Sequence, residues 1–344
     1  MSLLPYLERI AERRDLSCAE AQAAMETILS GAASQPQIAA FLMALRMKEE
    51  CVDELVGFAR AMRRMAARID TGRPGAEPLL DTCGTGGDAA GTFNISTIAA
   101  FVIAGAGVRV AKHGNRSISS RCGSADLLEE LGIQVAVSAE QAARAIREIG
   151  IGFLFAPALH TAMKHAQPVR VELKMRTVFN LLGPLTNPAG ATAQIAGAPS
   201  PKTARLIAGA LAALGLEHGF VVHGSDGLDE ITTTGATLVY EIRGHQVEQR
   251  SLHPQDFGVP CADPAALKGG DRSRNAEIAR EILAGCPGAP RDIVLVNAAA
   301  ALVAAGRAGS FAEGAEVASE SIDSGAARNK VEALAALTRC ATAP

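Results

Sequence analysis

The chain has 344 residues, a formal net charge of -3 and 3% aromatic residues with no Trp. It exceeds one average domain in length, and its near-balanced charge with few stacking rings leaves no footprint for nucleic acid. Apolar runs such as residues 98–110 are too short and too broken by glycine to cross a bilayer, and Glu8, Arg9, Glu12, Arg13 and Arg14 interrupt any N-terminal signal pattern.

The first 70 residues read as helices only: residues 3–14, then Ser17 with Glu20 as a capping box opening a helix to Leu29, then residues 36–48 with Pro36 in the first turn, then residues 52–69. Residues 71–78, TGRPGAEP, read as a linker or hinge. From Leu79 onward short apolar strands alternate with helices, as in residues 134–137, the helix 138–148 and the strand 151–155. That pattern predicts an α/β fold: a small all-helical N-terminal domain (1–70), then a large α/β domain (79–344) with a central, mostly parallel sheet flanked by helices.

Residues 81–97, DTCGTGGDAAGTFNIST, join a strand-like run to a helix through a glycine-rich turn. Gly84, Gly86 and Gly87 let the backbone approach a ligand and adopt φ > 0. Asn94, Ser96 and Thr97 then place donors at a helix mouth, whose free N–H groups and positive dipole end attract anions. GTGGD alone also fits an ordinary surface turn.

Residues 111–132 again carry a polar loop into an amphipathic helix, with Lys112, His113, Asn115, Arg116, Ser117, Ser119, Ser120, Arg121 and Ser124 around Gly114 and Gly123. Two such loops at successive strand ends face each other across the crevice where ligands of open α/β sheets bind. The implied ligand is strongly anionic and larger than one phosphate. Asp226, Asp229 and Glu230 follow the apolar residues 220–222, and such oxygen ligands suit Mg2+, although an acidic turn is the simpler alternative.

In this order and spacing, GTGGD, KHGNRSISS with GSAD, PVRVELKMRTVFNLLGPLTNP and DGLDE resemble the anthranilate phosphoribosyltransferases, and the resemblance runs on to GAARNKVEAL. It implies transfer of 5-phosphoribose from phosphoribosyl pyrophosphate to the amine of anthranilate, with release of pyrophosphate, the second step from chorismate to tryptophan. Gly84, Gly87, Asp88, Thr92, Asn94, Ile95, Ser96 and Thr97, with Lys112, His113, Gly114, Asn115, Arg116, Ser117, Ile118, Ser119, Ser120 and Ser124, match the residues that grip phosphoribosyl pyrophosphate. Ser96, Asp229 and Glu230 match the magnesium ligands, and Gly84, Asn115 and Arg170 the anthranilate pocket. The resemblance also implies that residues 160–188 return to the helical domain, carrying Arg170 to the wall opposite the glycine loops, and that part of the helical surface forms a homodimer. Hinge closure of the two walls is then expected to bring amine and ribose together.

The chemistry agrees with these residue types. Displacing pyrophosphate from an anomeric carbon develops positive charge on the sugar and negative charge on the leaving group, so magnesium and fixed donors help and no covalent nucleophile is needed. An aromatic amine is already neutral at pH 7, so positioning by Lys112, Asn115 and Arg170 matters more than a strong base. Positioning accounts for about 7–11 kcal/mol in favourable intramolecular reactions. The planar fork of Arg170 suits a carboxylate. His160 and His165 are expected to be structural or orienting, and at His113 the backbone N–H is the expected working group.

Three positions depart from the family pattern: Lys174 where glycine is usual, Thr161 where proline is common after His160, and Cys122 in place of serine. Lys174 either favours a carboxylate substrate or crowds the entry. Two alternatives remain. A pyrimidine nucleoside phosphorylase-like enzyme carries lysine and serine near its glycine turn, where Asp81, Thr82 and Cys83 stand here, and a non-catalytic, nucleic-acid-binding relative is expected to lose the acidic pair that Asp229 and Glu230 retain. The seven cysteines show no C-x-x-C spacing, which predicts reduced thiols in a cytoplasmic protein.

Overall fold

The computed structural model describes residues 2–72, 77–88, 90–116 and 121–339. Ser117, Ile118, Ser119 and Ser120 of the second loop, and residues 73–76 of the expected linker, lie outside the described residues.

Four helices open the chain: α1 (Leu4–Ala11), α2 (Cys18–Leu29), α3 (Gln35–Lys48) and α4 (Val52–Met65). Ser17 caps α2 as expected: the Glu20 N–H donates to Ser17 Oγ at 3.4 Å, and the Glu20 carboxylate accepts the Ser17 N–H at 2.9 Å. Such a reciprocal cap satisfies two donors that the first turn leaves free. Helix α4 stops at Met65 rather than running to Ile69. Beyond it the Ala67 N–H donates to the Leu159 carbonyl at 2.9 Å, and Ile69 enters a small core with Leu79, Ile146 and Leu154.

The remainder is an α/β unit around seven strands: β1 (Leu79–Asp81), β2 (Arg109–Gly114), β3 (Ile151–Phe155), β4 (Ala193–Gly197), β5 (His218–Gly224), β6 (Thr237–Arg243) and β7 (Gln246–Leu252). Their order is β3-β2-β1-β4-β5-β6-β7, with the first five parallel and the β6–β7 hairpin antiparallel. The chain starts near the middle, builds outward to β3, then returns to β4 on the other side of β1. The boundary between β1 and β4 is therefore the topological switch point, where flanking connections diverge and leave a crevice.

The flanking helices are α5 (Ile95–Gly105), α6 (Ser124–Glu130), α7 (Ala139–Ile149), α8 (Ala156–Leu159), α9 (Gln167–Leu173), α10 (Pro201–Ala213), α11 (Arg272–Leu283), α12 (Ala289–Ala304), α13 (Phe311–Asp323) and α14 (Ala326–Arg339). Residues 134–137 form no strand. The Gln134 N–H donates to Thr338 Oγ1 of α14 at 3.1 Å, so this apolar stretch is held by a helix while β3 occupies the edge beside β2.

Two large cores cover the two faces of the sheet. Successive strand residues point to opposite faces, and β5 shows it: Phe220 and Val222 join the core made with α5 and α12, whereas Val221 joins the core of the helical bundle. That second core also takes in Ala204, Ile207 and Ala208 of α10, and Ala166, Val169, Val178, Phe179, Leu182 and Leu185 of the returning segment. No described helix is long and apolar enough to cross a membrane.

Lys174 ends α9 in the left-handed region, at φ 49 and ψ 32, with its side chain exposed. A residue bearing a Cβ loses roughly 1–2 kcal/mol there, which explains why glycine suits the position. Glycine returns part of this through its larger unfolded-state entropy. Lys174→Gly is therefore expected to raise the unfolding free energy by up to about 1 kcal/mol; a urea melt showing a clear loss would mean that the lysine chain makes a compensating contact.

Candidate active site

Three chain segments meet backbone to backbone at the switch point. A Cβ added to Gly84 would lie 2.8 Å from both the N and O of Gly197, and one added to Gly197 would overlap the Asp229 carbonyl. The Thr85 N–H donates to Gly197 O at 2.9 Å, and Gly86 and Gly87 adopt φ of 65 and 93. Gly197 was missed by the sequence reading, although a glycine closing the apolar run 193–198 is a usable sign of close backbone approach.

This packing brings charges together. Lys112 is buried at the end of β2, where its Nζ donates to Thr82 Oγ1 at 2.9 Å, Thr82 O at 3.3 Å and Ser96 Oγ at 3.4 Å. Burial lowers its pKa, against the pull of the neighbouring acids. Burial likewise pushes the Glu230 carboxyl up to about 7; Lys112 and the Ser96 N–H and hydroxyl draw it down, and Asp88 adds to the rise. Asp229 rises well above its ordinary value through burial and then the charges of Asp88 and Glu230. Asp88 thus lies against Asp229, and Glu230 is near enough to feel the charge of Asp88 and to act on Asp229. Such a set of hard oxygen donors, with Ser96 Oγ beside it, fits Mg2+. Asp226 instead organises the turn: its carboxylate accepts the hydroxyls of Thr232 and Thr234, both at 2.6 Å.

The other expected phosphate-site residues divide by what they touch. Asn94 stands at the N-cap position of α5 without a side-chain cap bond, and its side chain ties loops together: Nδ2 donates to Cys122 O at 3.1 Å while Oδ1 accepts from Asn275 Nδ2 at 3.0 Å. Ile95 and Thr97 are buried in the first turn of α5, and Thr97 Oγ1 has no hydrogen-bond partner among the described residues. Thr92 bridges to Lys268, Ser124 opens α6, and Gly114 lies so close to Phe153 that a Cβ would sit 2.6 Å from its ring. Asn115 is exposed and its Oδ1 accepts the Arg116 N–H at 2.7 Å. Arg116 turns to Glu129 and Asp126, donating at 2.7 and 3.0 Å. Asn275, buried and unsuspected from sequence, also accepts the Gly270 N–H at 2.7 Å.

Beneath the second loop, the His113 N–H donates to Asp81 Oδ1 at 3.1 Å, so the expected working group is occupied within the fold. His113 Nδ1 lies 3.1 Å from Gly183 O, which makes it the protonated nitrogen; its Nε2 then accepts the His160 Nε2–H at 3.3 Å. Burial depresses His113 to about 4 and His160 to about 3, so both rings are neutral. Asp81 is raised by burial to about 6 and accepts from Asn187 Nδ2 at 2.7 Å.

The returning segment supplies the facing wall. Gln194 Nε2 donates to Pro184 O at 2.9 Å and to Cys83 O at 3.2 Å, binding this wall to the glycine turn. Arg170 lies on α9 with its guanidinium 5.2 Å from the centroid of the Phe179 ring, and it pairs with no carboxylate among the described residues. A hollow of about 460 Å3 lined by His218, Arg243, Arg307 and Glu313 lies at the other end of the sheet. Glu241 pairs there with His218 and Arg243, both at 2.9 Å, which leaves the switch-point cleft as the better candidate.

Comparison with known proteins bears on this cleft. The model of the glycosyl transferase family a/b domain matches residues 76–328, and that of the family's helical bundle domain matches residues 4–66. An anthranilate phosphoribosyltransferase of Solibacter usitatus is 70% identical over 335 residues, spanning 97% of this chain and 98% of that protein. The crystal structure of anthranilate phosphoribosyltransferase from Thermus thermophilus superposes with a TM-score of 0.91 at 44% identity, over 97% of this chain and 99% of that one. The Saccharomyces cerevisiae enzyme, solved in complex with PRPP and Mg, gives 0.90 at 29% identity, over 98% of both chains.

The raised carboxyl of Glu230 has a pH signature. Its pKa in the fold, about 7, exceeds the ordinary 4.5, so the stability it contributes is fully present below about 4.5 and is lost as pH rises through 7. In chelator at pH 8, Glu230→Gln is expected to stabilise the protein by on the order of 1 kcal/mol and to flatten its melting profile over that interval. Melting curves as pH-dependent as those of the parent would refute the assignment.

Proposed function

The chain belongs to the anthranilate phosphoribosyltransferase family, and we propose that it performs that family's reaction in the cleft at the switch point: 5-phosphoribose passes from phosphoribosyl pyrophosphate to the amine of anthranilate, and pyrophosphate leaves. It is a Mg2+-dependent pentosyltransferase of tryptophan biosynthesis. The observation that carries the placement is the convergence of Asp88, Asp229, Glu230 and Lys112 beneath a glycine turn. A nucleoside phosphorylase or nucleic-acid-binding role has no comparable support.

The residues divide the work by chemistry. The glycine turn, the N-terminus of α5 and Lys112 receive the phosphate oxygens, because free N–H groups and a buried ammonium bind anions. Asp229 and Glu230, with Ser96, would hold Mg2+, and a bound ion would supply positive charge to the departing pyrophosphate. Arg170 takes the anthranilate carboxylate, a role supported by its lack of an acidic partner among the described residues. The Phe179 ring holds that guanidinium in place. The neutral pair His113 and His160 braces the loop from behind, which suits an amine that attacks without a strong base.

Two further features belong to the same reading. Leu4, Met47, Val171 and Met175 are exposed on the bundle and the returning segment, which supports a homodimer through the helical domain. Cys18, Cys51, Cys83, Cys261 and Cys286 carry thiols outside any disulfide, which supports a reducing, cytoplasmic setting.

Purified protein is expected to consume anthranilate fluorescence with phosphoribosyl pyrophosphate and Mg2+, and to stop in chelator. Loss of signal without magnesium, or none with it, would overturn the reading. Asp229→Asn with Glu230→Gln is expected to lower turnover by at least about a hundredfold and to blunt the magnesium response, in line with the loss of fixed electrostatic groups elsewhere. Arg170→Ala is expected to raise the KM for anthranilate by about tenfold or more, the worth of a charged hydrogen bond. Unchanged anthranilate saturation would place that pocket elsewhere.

A further inference from the structure

The returning segment carries a second arginine, Arg176, which lies inside the PVRVELKMRTVFNLLGPLTNP motif but was given no role by the resemblance. Its Nη2 donates to Gly86 O at 2.9 Å, and its guanidinium lies over the adjacent residue so closely that a Cβ on Gly87 would overlap it. Gly87 is constrained by its φ of 93, and the movable arginine head lies directly above it. The Arg176 carbonyl is in turn held by Nη1 of Arg46 on α3, so the residue is anchored from the helical domain while its head rests on the phosphate loop.

Its single partner is weak for what it is. Arg176 pairs with no carboxylate among the described residues, and a neutral carbonyl engages one of the five N–H groups of a guanidinium. By contrast Arg116 and Arg272, which are also close to the phosphate loops, both bind Asp126 and Glu129. A guanidinium held over a phosphate turn, with donors to spare, binds an anionic oxygen far better than it binds a peptide carbonyl.

We propose that Arg176 is a substrate-binding residue: on binding of phosphoribosyl pyrophosphate its guanidinium leaves the Gly86 carbonyl for a pyrophosphate oxygen, joining the helical domain to the leaving group. This rests on the reaction assigned above. It gives the returning segment two separate anion contacts, Arg170 for the acceptor carboxylate and Arg176 for the donor pyrophosphate.

The test compares the parent protein with Arg176→Gln and Arg176→Lys in steady-state kinetics for each substrate, in calorimetric binding of phosphoribosyl pyrophosphate with Mg2+, and in thermal melts. Arg176→Gln is expected to weaken binding of phosphoribosyl pyrophosphate about tenfold or more, to leave the KM for anthranilate within about twofold, and to leave the melting temperature unchanged. Arg176→Lys, which keeps the charge without the fork, recovers part of the affinity. Equal binding by the parent and Arg176→Gln would overturn the proposal, as would a defect confined to anthranilate. A lowered melting temperature with both substrates weakened alike would do the same, because it marks a merely structural clasp. An inactive parent would instead count against the assigned reaction, so the two failures are distinguishable.

Discussion

The cleft depends on a contact in which side chains take no part. Gly84, Gly197 and Asp229 stack backbone on backbone at the carboxyl ends of three strands, with no space for a Cβ at either glycine. Bringing main chains this near fixes where the following residues go. Beyond Gly84, the chain turns through Gly86 and Gly87 into the phosphate loop, and beyond Asp229, Glu230 is set against Ser96 and the Lys112 ammonium. A single methyl group in this stack would separate the glycine turn from the acidic residues Asp229 and Glu230.

The same compression explains the electrostatics. Burial and the neighbouring charge of Asp88 push the Asp229 and Glu230 carboxyls up, while Lys112 is buried deeply enough for its own pKa to fall. Such an arrangement is costly by itself and favourable once a divalent cation and a polyanion enter together. The opposing wall adds arginines whose partners are an aromatic ring and a peptide carbonyl, groups easily exchanged for an anionic oxygen. The cleft is therefore unbalanced in charge on both sides, and a polyanion bound with a divalent cation would supply the balance.

Sequence made much of this legible where the signal was local. The Ser17 cap, the strand at residues 151–155 and the glycine turn each follow from a few adjacent residues whose conformational needs are narrow. Reading failed where a distant partner decided. Residues 134–137 have strand composition, yet α14 takes the hydrogen bond that a neighbouring strand would have made. Residues 66–69 continue the helical pattern, but Leu159 draws the backbone away. Gly197 and Asn275 stand outside the recognised motifs, Arg176 lies inside one that gave it no role, and what marks all three is what folding lays against them. Arg116 shows the converse, since a basic residue inside a phosphate motif is engaged by two acids of the following helix.

The core shared by the helical bundle and one face of the sheet restricts how the walls can move. Val52 of α4 comes within 3.0 Å of where a Cβ on Gly209 of α10 would stand, and bundle and sheet residues form one continuous apolar interior. A lid that swung open would expose that interior to water at roughly 25 cal/mol for each Å2 of apolar surface. Motion that preserves it is a shear, in which α4 slides along α10 by small side-chain readjustments while the interior stays closed. The packing thus favours a sliding jaw over a swinging door, with travel set by the grain of two packed helices.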